Sequence, residues 1–365
     1  MISSSQTELN ARLRAVFESA GYRRYKMSKF EEYDLYAKNK DFLISENVLT
    51  FTDLDGRLMA LKPDVTLSIV KNCRESDGVE KVYYHENVYR AAGGSLGFRE
   101  ISQAGLECIG EIDEYSVCEV LSLAAKSLIS ISSKCELDIS HLGILCDFLD
   151  SVGLSGTAKK EAIRLMGEKN RGELKLLLER EGLTYDMISR IIGISELEAE
   201  ASEASLKLRE LLAGYIADKA LDLFCDTCEF LGAEFPGIVR VDFSTVGDLG
   251  YYSGIFFKGF VDGVPTSVLS GGQYDGLMRK LKRPSRAIGF ALYLDMLEPL
   301  LVTNDGYDAD ALLIYSEGFT PKQIYSAAKD IEKSAGSVAV MQNKPKGMRF
   351  KEIYELTEEG AIRIE

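Results

Sequence analysis

The stretch KVYYHENVYRAAGGSLGFREISQAGLECIG, Lys81 to Gly110, is the strongest constraint on what this chain folds into. A strand-like run ends at Arg90, a glycine-rich turn follows, and a second run returns after Arg99. Two long strands joined this closely pair antiparallel, because a parallel partner needs a crossover of a dozen or more residues. Two arginines flanking such a turn are also suited to gripping a phosphate.

Further strand signals surround this hairpin. VLTFTDLDGRLMAL turns at Asp55-Gly56, KCELDIS runs to His141, and IVRVDFST and YYSGIFFKGFVDGVPTSVLSGG follow, the latter turning near Asp262-Gly263. Leu9, Leu13, Val16 and Phe17 recur on one helical face, and EIDEYSVCEVLSLAAKSLISIS predicts a long helix. Pro63 sits where a helix can start, and DVTLSIVKNCR continues it. YDGLMRKL and AIGFALYLDMLEPL predict the last helix of the main body. From about 142 to 231 the pattern is almost wholly helical; between Ser151 and Tyr215 ten Lys/Arg face eleven Asp/Glu, a balanced solvated insert. After the polar linker VTNDGYDAD, residues 308–365 predict a small β-α-β-α-β unit. Antiparallel strands outnumber crossovers in residues 1–300, so the expected class is α+β, a mostly antiparallel sheet flanked by helices.

Composition narrows the function. The chain has 365 residues, enough for two or three domains, and a formal net charge of −14. That acidity disfavours a polyanionic partner such as tRNA and favours a protein or small molecule. The longest apolar runs are too short for a membrane span, MISSSQTELN is no signal peptide, and seven scattered cysteines suit a reducing cytoplasm. The Cys225-x-x-Cys228 pair lies in the amphipathic ALDLFCDTCEFLG with no second pair, so core cysteines are expected there, not zinc ligands. With only two histidines, His85 and His141, a His-based triad is not expected. The glycines of SGGQYDG match neither phosphate-loop spacing and predict a close backbone approach.

Several polar residues are placed to converge. Gln103 and Glu107 are four apart on the returning strand and share a face, with Gly105 between them leaving room. Asp64 and Thr66 begin a helix, where first-turn and capping roles are the simpler account. Tyr251 and Tyr252 point to opposite faces if extended, so at most one joins a pocket.

Taken together, LKPDVTLSIVK, VYYHENVYR…GFREISQAGLECIG, LGYYSGIFF and SGGQYDGL…AIGFALYLDML resemble, in order, four elements of the class II aminoacyl-tRNA synthetase fold, in its histidyl branch. The resemblance runs from about residue 5 to 300. It implies that Asp64 (glutamate in the family), Thr66 and Gln103 hold the ammonium of histidine. It places Glu107 and one of Tyr251 and Tyr252 on the imidazole, a sensible set of acceptors for a cation and two ring nitrogens. Arg90 matches the arginine that meets the α-phosphate of ATP. The remaining nucleotide positions depart: Ala92 stands where the family has an adenine-facing glutamate, Met296 where it has an arginine, Tyr293 where it has a glycine, and Gly247 where a further arginine activates the carboxylate. Two lost charges of this kind each cost a few kcal/mol in an adenylation transition state. Arg99 is not placed to replace both, and residues 308–365 are shorter than a full anticodon-binding domain.

This combination resembles the family of ATP phosphoribosyltransferase regulatory subunits. The resemblance implies no catalysis and no cofactor in this chain. It implies self-association as a dimer and assembly with a short-form catalytic subunit, which with Mg²⁺ joins ATP to phosphoribosyl pyrophosphate in the first step of histidine biosynthesis. It also implies feedback inhibition by L-histidine. A divergent active histidyl-tRNA synthetase, and a synthetase-like sensor of histidine or tRNA for another partner, are the competing expectations.

Overall fold

Helix α1 (Ser4–Ser19) opens the chain and buries Leu9, Leu13 and Phe17 on the face their spacing predicts. The computed structural model describes residues 4–39, 48–73, 78–91, 97–215, 218–301 and 307–365. The chain forms two units, Met1–Leu301 and Val302–Glu365.

In the first unit, β1 (Arg23–Arg24), β2 (Phe30–Glu32) and α2 (Tyr33–Ala37) precede the hairpin of β3 (Thr50–Thr52) and β4 (Leu58–Leu61). That hairpin turns where the sequence predicts, with Gly56 at φ +79° and Asp53 Oδ1 accepting from the Asp55 and Arg57 amides at 2.9 Å. Strands β2, β4 and β3 make a small sheet of their own, and α3 (Thr66–Asn72) follows it. β5 (Val79–Ala91) and β6 (Phe98–Gly110) are the long hairpin, in antiparallel register from Val79↔Gly110 to Ala91↔Phe98. α4 (Glu114–Ile131), capped where Asp113 Oδ1 accepts from the Ser116 amide at 2.8 Å, leads to β7 (Cys135–His141).

The helical segment follows: α5 (Leu142–Ser151), α6 (Gly156–Gly167), α7 (Arg171–Arg180), α8 (Tyr185–Ser195), then β8 (Glu198–Glu200), α9 (Ala201–Leu212) and α10 (Asp218–Glu234). The short strand β8 is the one exception among the described elements of this almost wholly helical segment; it pairs antiparallel with β9 (Val239–Asp242) and ties the segment to the main sheet. Cys225 and Cys228 are core residues of α10, as the amphipathic pattern requires.

β10 (Ile255–Val261), β11 (Leu269–Gln273), α11 (Asp275–Lys280) and β12 (Arg286–Tyr293) complete the first unit, with a 3-10 turn (Leu294–Leu297) and α12 (Glu298–Leu301). The helix expected over AIGFALYLDML is therefore mostly strand. β12 lies in the middle of the sheet, between β6 and β11, and both its faces are buried. A run apolar on both faces carries no period that separates strand from helix. The nine-stranded sheet has the order β1-β5-β6-β12-β11-β10-β7-β9-β8, and only β1–β5 and β7–β9 are parallel. The α+β architecture follows.

The two faces of this sheet are divided by strand parity. Ala104, Leu106 and Cys108 of β6 pack into the large core with α1, α4 and the helical segment. Gln103, Gly105 and Glu107 face the other way, towards α3 and α11.

The second unit has β13 (Ala309–Ile314), α13 (Pro321–Ala335), β14 (Val338–Met341), β15 (Phe350–Thr357) and β16 (Gly360–Arg363), in the sheet order β14-β13-β15-β16. α13 starts in a capping box between Thr320 and Gln323. The second helix expected here is instead the hairpin β15–β16, turning through Gly360 at φ +124°. Ile353 packs with Leu312, while Tyr354 and Leu356 pack with Leu313; serving two layers at once put apolar residues at helix-like spacing in a strand. Among the described residues no helix is long and apolar enough to cross a membrane.

Candidate functional site

Glu107 is the centre of the site. It stands on β6 almost wholly buried, at 1% exposure. The Thr66 hydroxyl, at the start of α3, donates to its Oε1 at 2.6 Å, and the Tyr274 hydroxyl, between β11 and α11, donates to its Oε2. Gly289, its register partner on β12, makes this possible: a Cβ there would lie 1.9 Å from Oε2. Burial pushes the Glu107 carboxyl up to about 8 against the pull of the two hydroxyls, with Asp64 adding to the rise.

Asp64 is buried beside it. Its Oδ1 accepts from the Leu67 amide at 2.7 Å, so it caps the first turn of α3 and also lines the cavity. Its own burial raises its pKa, while Arg90 lowers it. Arg90 is held in turn by an Nε donation to the Pro63 carbonyl at 2.8 Å. Gln103 also lines the cavity, and its buried Nε2 has no hydrogen-bond partner among the described residues. A buried donor left in this state is a group waiting for an acceptor.

These residues enclose a cavity of about 300 Å³, the low end of the range for small-molecule sites. The structure thus brings Asp64, Thr66, Arg90, Gln103, Glu107, Tyr251 and Tyr252 to one place. Both tyrosines line it, contrary to the expectation of opposite faces. The segment is a turn and not a strand: the Tyr251 and Tyr252 amides both donate to the Asp248 carbonyl, and the two rings meet edge-on at 4.7 Å. Tyr251 approaches Thr66, Tyr252 approaches Ser270, and burial raises both hydroxyls above the ordinary range. The room expected beside Gly105 is not empty either; a Cβ there would lie 2.6 Å from the Tyr84 hydroxyl, so the glycine admits that phenol.

The residues at the nucleotide positions do not assemble. Arg99 is the register partner of Arg90 but is exposed, outside the cavity lining. Met296 is exposed on the 3-10 turn, and Tyr293 fills space at the cavity edge. Gly247 has no room for a side chain: a Cβ would lie 2.7 Å from Tyr252 Cδ2 and 2.8 Å from Phe256 Cδ2. Ala92 lies outside the described residues.

Three contributors were missed in the sequence: Tyr274, Tyr84 and Lys258. Tyr274 directly follows the glycines of SGGQYDG, which drew the reading to the backbone. Lys258 is a lone lysine in the apolar strand IFFKGFV, two residues from Phe256 and so on the same face; that period was the available signal. Neither histidine belongs to this cavity. His141 Nδ1 accepts from the Ile144 amide at 3.0 Å as the cap of α5, and burial lowers its pKa to about 4, keeping it neutral.

The family pattern for histidyl-tRNA synthetase matches residues 3–297. An ATP phosphoribosyltransferase regulatory subunit of Alkaliphilus metalliredigens is 30% identical over 303 residues, covering 80% of this chain and 76% of that protein. The chain belongs to this histidyl-tRNA synthetase-like family of ATP phosphoribosyltransferase regulatory subunits. A histidine–tRNA ligase of Methanococcus maripaludis is 28% identical over 79% of the chain and 70% of its own length, so the family's synthetase members are near relatives. Among solved structures, one described as an ATP phosphoribosyltransferase regulatory subunit/histidyl-tRNA synthetase from Bacillus halodurans superposes with a TM-score of 0.77. It is 22% identical and covers 96% of this chain and 93% of its own. An ATP phosphoribosyl transferase (HisG:HisZ) complex from Thermotoga maritima gives 0.61 at 19% identity, over 78% of this chain and 96% of that one. These two establish the fold shared across the family.

Proposed function

We propose that this chain is the non-catalytic regulatory subunit of ATP phosphoribosyltransferase, and that its synthetase-type cavity reads L-histidine as the feedback signal. The observation that carries the reading is the contrast within one cavity. The end built from Glu107, Thr66, Tyr274 and Gln103 is intact and buried, whereas Gly247 is packed against Tyr252 and Phe256 where a synthetase needs an arginine. Such a site binds an amino acid without stabilising the charge that adenylation develops.

In this reading the chain pairs with itself in the cytoplasm and assembles with a short-form catalytic subunit, which brings the Mg²⁺-dependent transfer. Histidine binding then biases the assembly between two states, with a coupling free energy of ~1–3 kcal/mol. The test is reconstitution with the short-form catalytic subunit of the same cell. Complex formation, increased phosphoribosyl transfer and inhibition by histidine are expected; absence of a complex overturns the assignment.

The ligase relatives favour a second reading, an active synthetase. Histidine-dependent exchange of pyrophosphate into ATP by the purified chain would establish it.

A further inference from the structure

The cavity has a second end. Across the sheet, Glu107 of β6 stands in register with Gly289 of β12, Gly272 of β11 and Phe256 of β10. The next row on the same face is Gly105, Ala291, Ser270 and Lys258. β6 and β10 are three strand spacings apart, about 14 Å between Cα atoms at ~4.8 Å per strand. Glycine, alanine and serine lie between them in these rows, with the Tyr252 ring seated against Gly272, so Glu107 and Lys258 stand at opposite ends of one cavity.

Lys258 is half-buried, and its ammonium sits 5.7 Å from the centroid of the Phe256 ring. Among the described residues no carboxylate forms an ion pair with it. Its register neighbour on β7, Asp138, shares its face but lies against Glu136, with Asp242 also near. Burial first, then those two acids, raise Asp138 above the ordinary carboxylate range against the pull of Arg240. The other described cation of the cavity, Arg90, is already engaged by Asp64 and the Pro63 carbonyl. A half-buried ammonium in a ligand cavity with no acid of its own calls for an anionic ligand group.

We propose that Lys258 holds the α-carboxylate of the amino-acid ligand, opposite the Glu107 end that takes the N–H donors of its side chain. This rests on the reading of the cavity as a histidine site and adds the residue that makes it select an amino acid over an amine. Phe256, which packs against Gly247 at the position of the synthetase arginine, also lies beside the Lys258 ammonium.

The test is calorimetric titration of the full chain with L-histidine and with histamine, which lacks the carboxylate. Wild type should prefer L-histidine by tenfold or more. Lys258→Met should weaken L-histidine by a similar factor while leaving histamine within about twofold, and Lys258→Arg should restore most of the difference. Thermal melts of both variants close to wild type confirm that they fold. Unchanged L-histidine affinity in Lys258→Met, or equal losses for both ligands, overturns the Lys258 assignment and leaves the histidine site standing. Failure of wild type to bind L-histidine overturns both.

Discussion

The Thr66 hydroxyl donates to Glu107 Oε1 at 2.6 Å, joining the first turn of α3 to the centre of the main sheet. One hydrogen bond therefore fixes both the helix that carries Asp64 and the carboxyl that faces the cavity. Thr66→Val keeps the shape and removes the donor. It should cost about 1–2 kcal/mol in urea unfolding and weaken L-histidine binding by calorimetry. Full affinity in the variant would show that Glu107 is positioned by Tyr274 alone.

Glu107 also sets a pH dependence. Its pKa is about 8 in the folded chain against an ordinary 4.5, so the folded state holds its proton more tightly than the unfolded one. Its contribution to stability is complete below the unfolded value and is lost as pH rises through the folded one. The slope is at most about 1.4 kcal/mol per pH unit within that window. Glu107→Gln keeps an acceptor for Thr66 and abolishes the titration. From about pH 5 to about pH 8 wild type should lose stability relative to the variant in urea unfolding; Asp138 titrates in both and cancels. Parallel curves would show that another group carries the effect.

Much of this site was legible in the chain because it rests on local periods. The hairpin of β5 and β6 fixes its own register, so Gln103 and Glu107 share a face by counting alone. What pairs across strands was not legible. Nothing in the sequence says that Gly289 opposes Glu107, or that Ser270 and Ala291 separate Lys258 from Gly105. Tyr251 and Tyr252 were misplaced because a turn, stabilised through the Asp248 carbonyl, breaks the alternation assumed for a strand. β12 was misread because burial on both faces erases the alternation that marks a strand at a sheet surface.

Beside the cavity, Lys62 and Glu86 form a buried ion pair, with side chains only 1% and 15% exposed. Glu86 is the register partner of Gln103, so the pair adjoins that buried amide. Lys62→Met would leave Glu86 desolvated without its counter-charge and should cost about 3–5 kcal/mol. The double variant Lys62→Met with Glu86→Leu should recover most of that loss, since two apolar groups replace two paired charges. Chemical unfolding of the two variants and wild type decides it; equal instability of single and double variants would place the cost in packing and not in charge.

Gly247 gives the most discriminating substitution. A Cβ at 247 would press on one edge of the Tyr252 ring, at 2.7 Å from Cδ2, and a Cβ at 272 would press on the other, at 2.7 Å from Cδ1. The ring is seated between two glycines, and Phe256 closes the same space at 2.8 Å from position 247. Gly247→Arg would return the charge of a synthetase but must first displace Tyr252, at about 1–3 kcal/mol for overpacking a filled site. The expected outcome is a lower melting temperature, weaker L-histidine binding and no histidine-dependent pyrophosphate exchange. Gain of exchange in this variant would mean that the frame had lost one side chain only. Its absence, with the fold intact, would mean that the aromatic repacking around Tyr252 has closed the route back to adenylation.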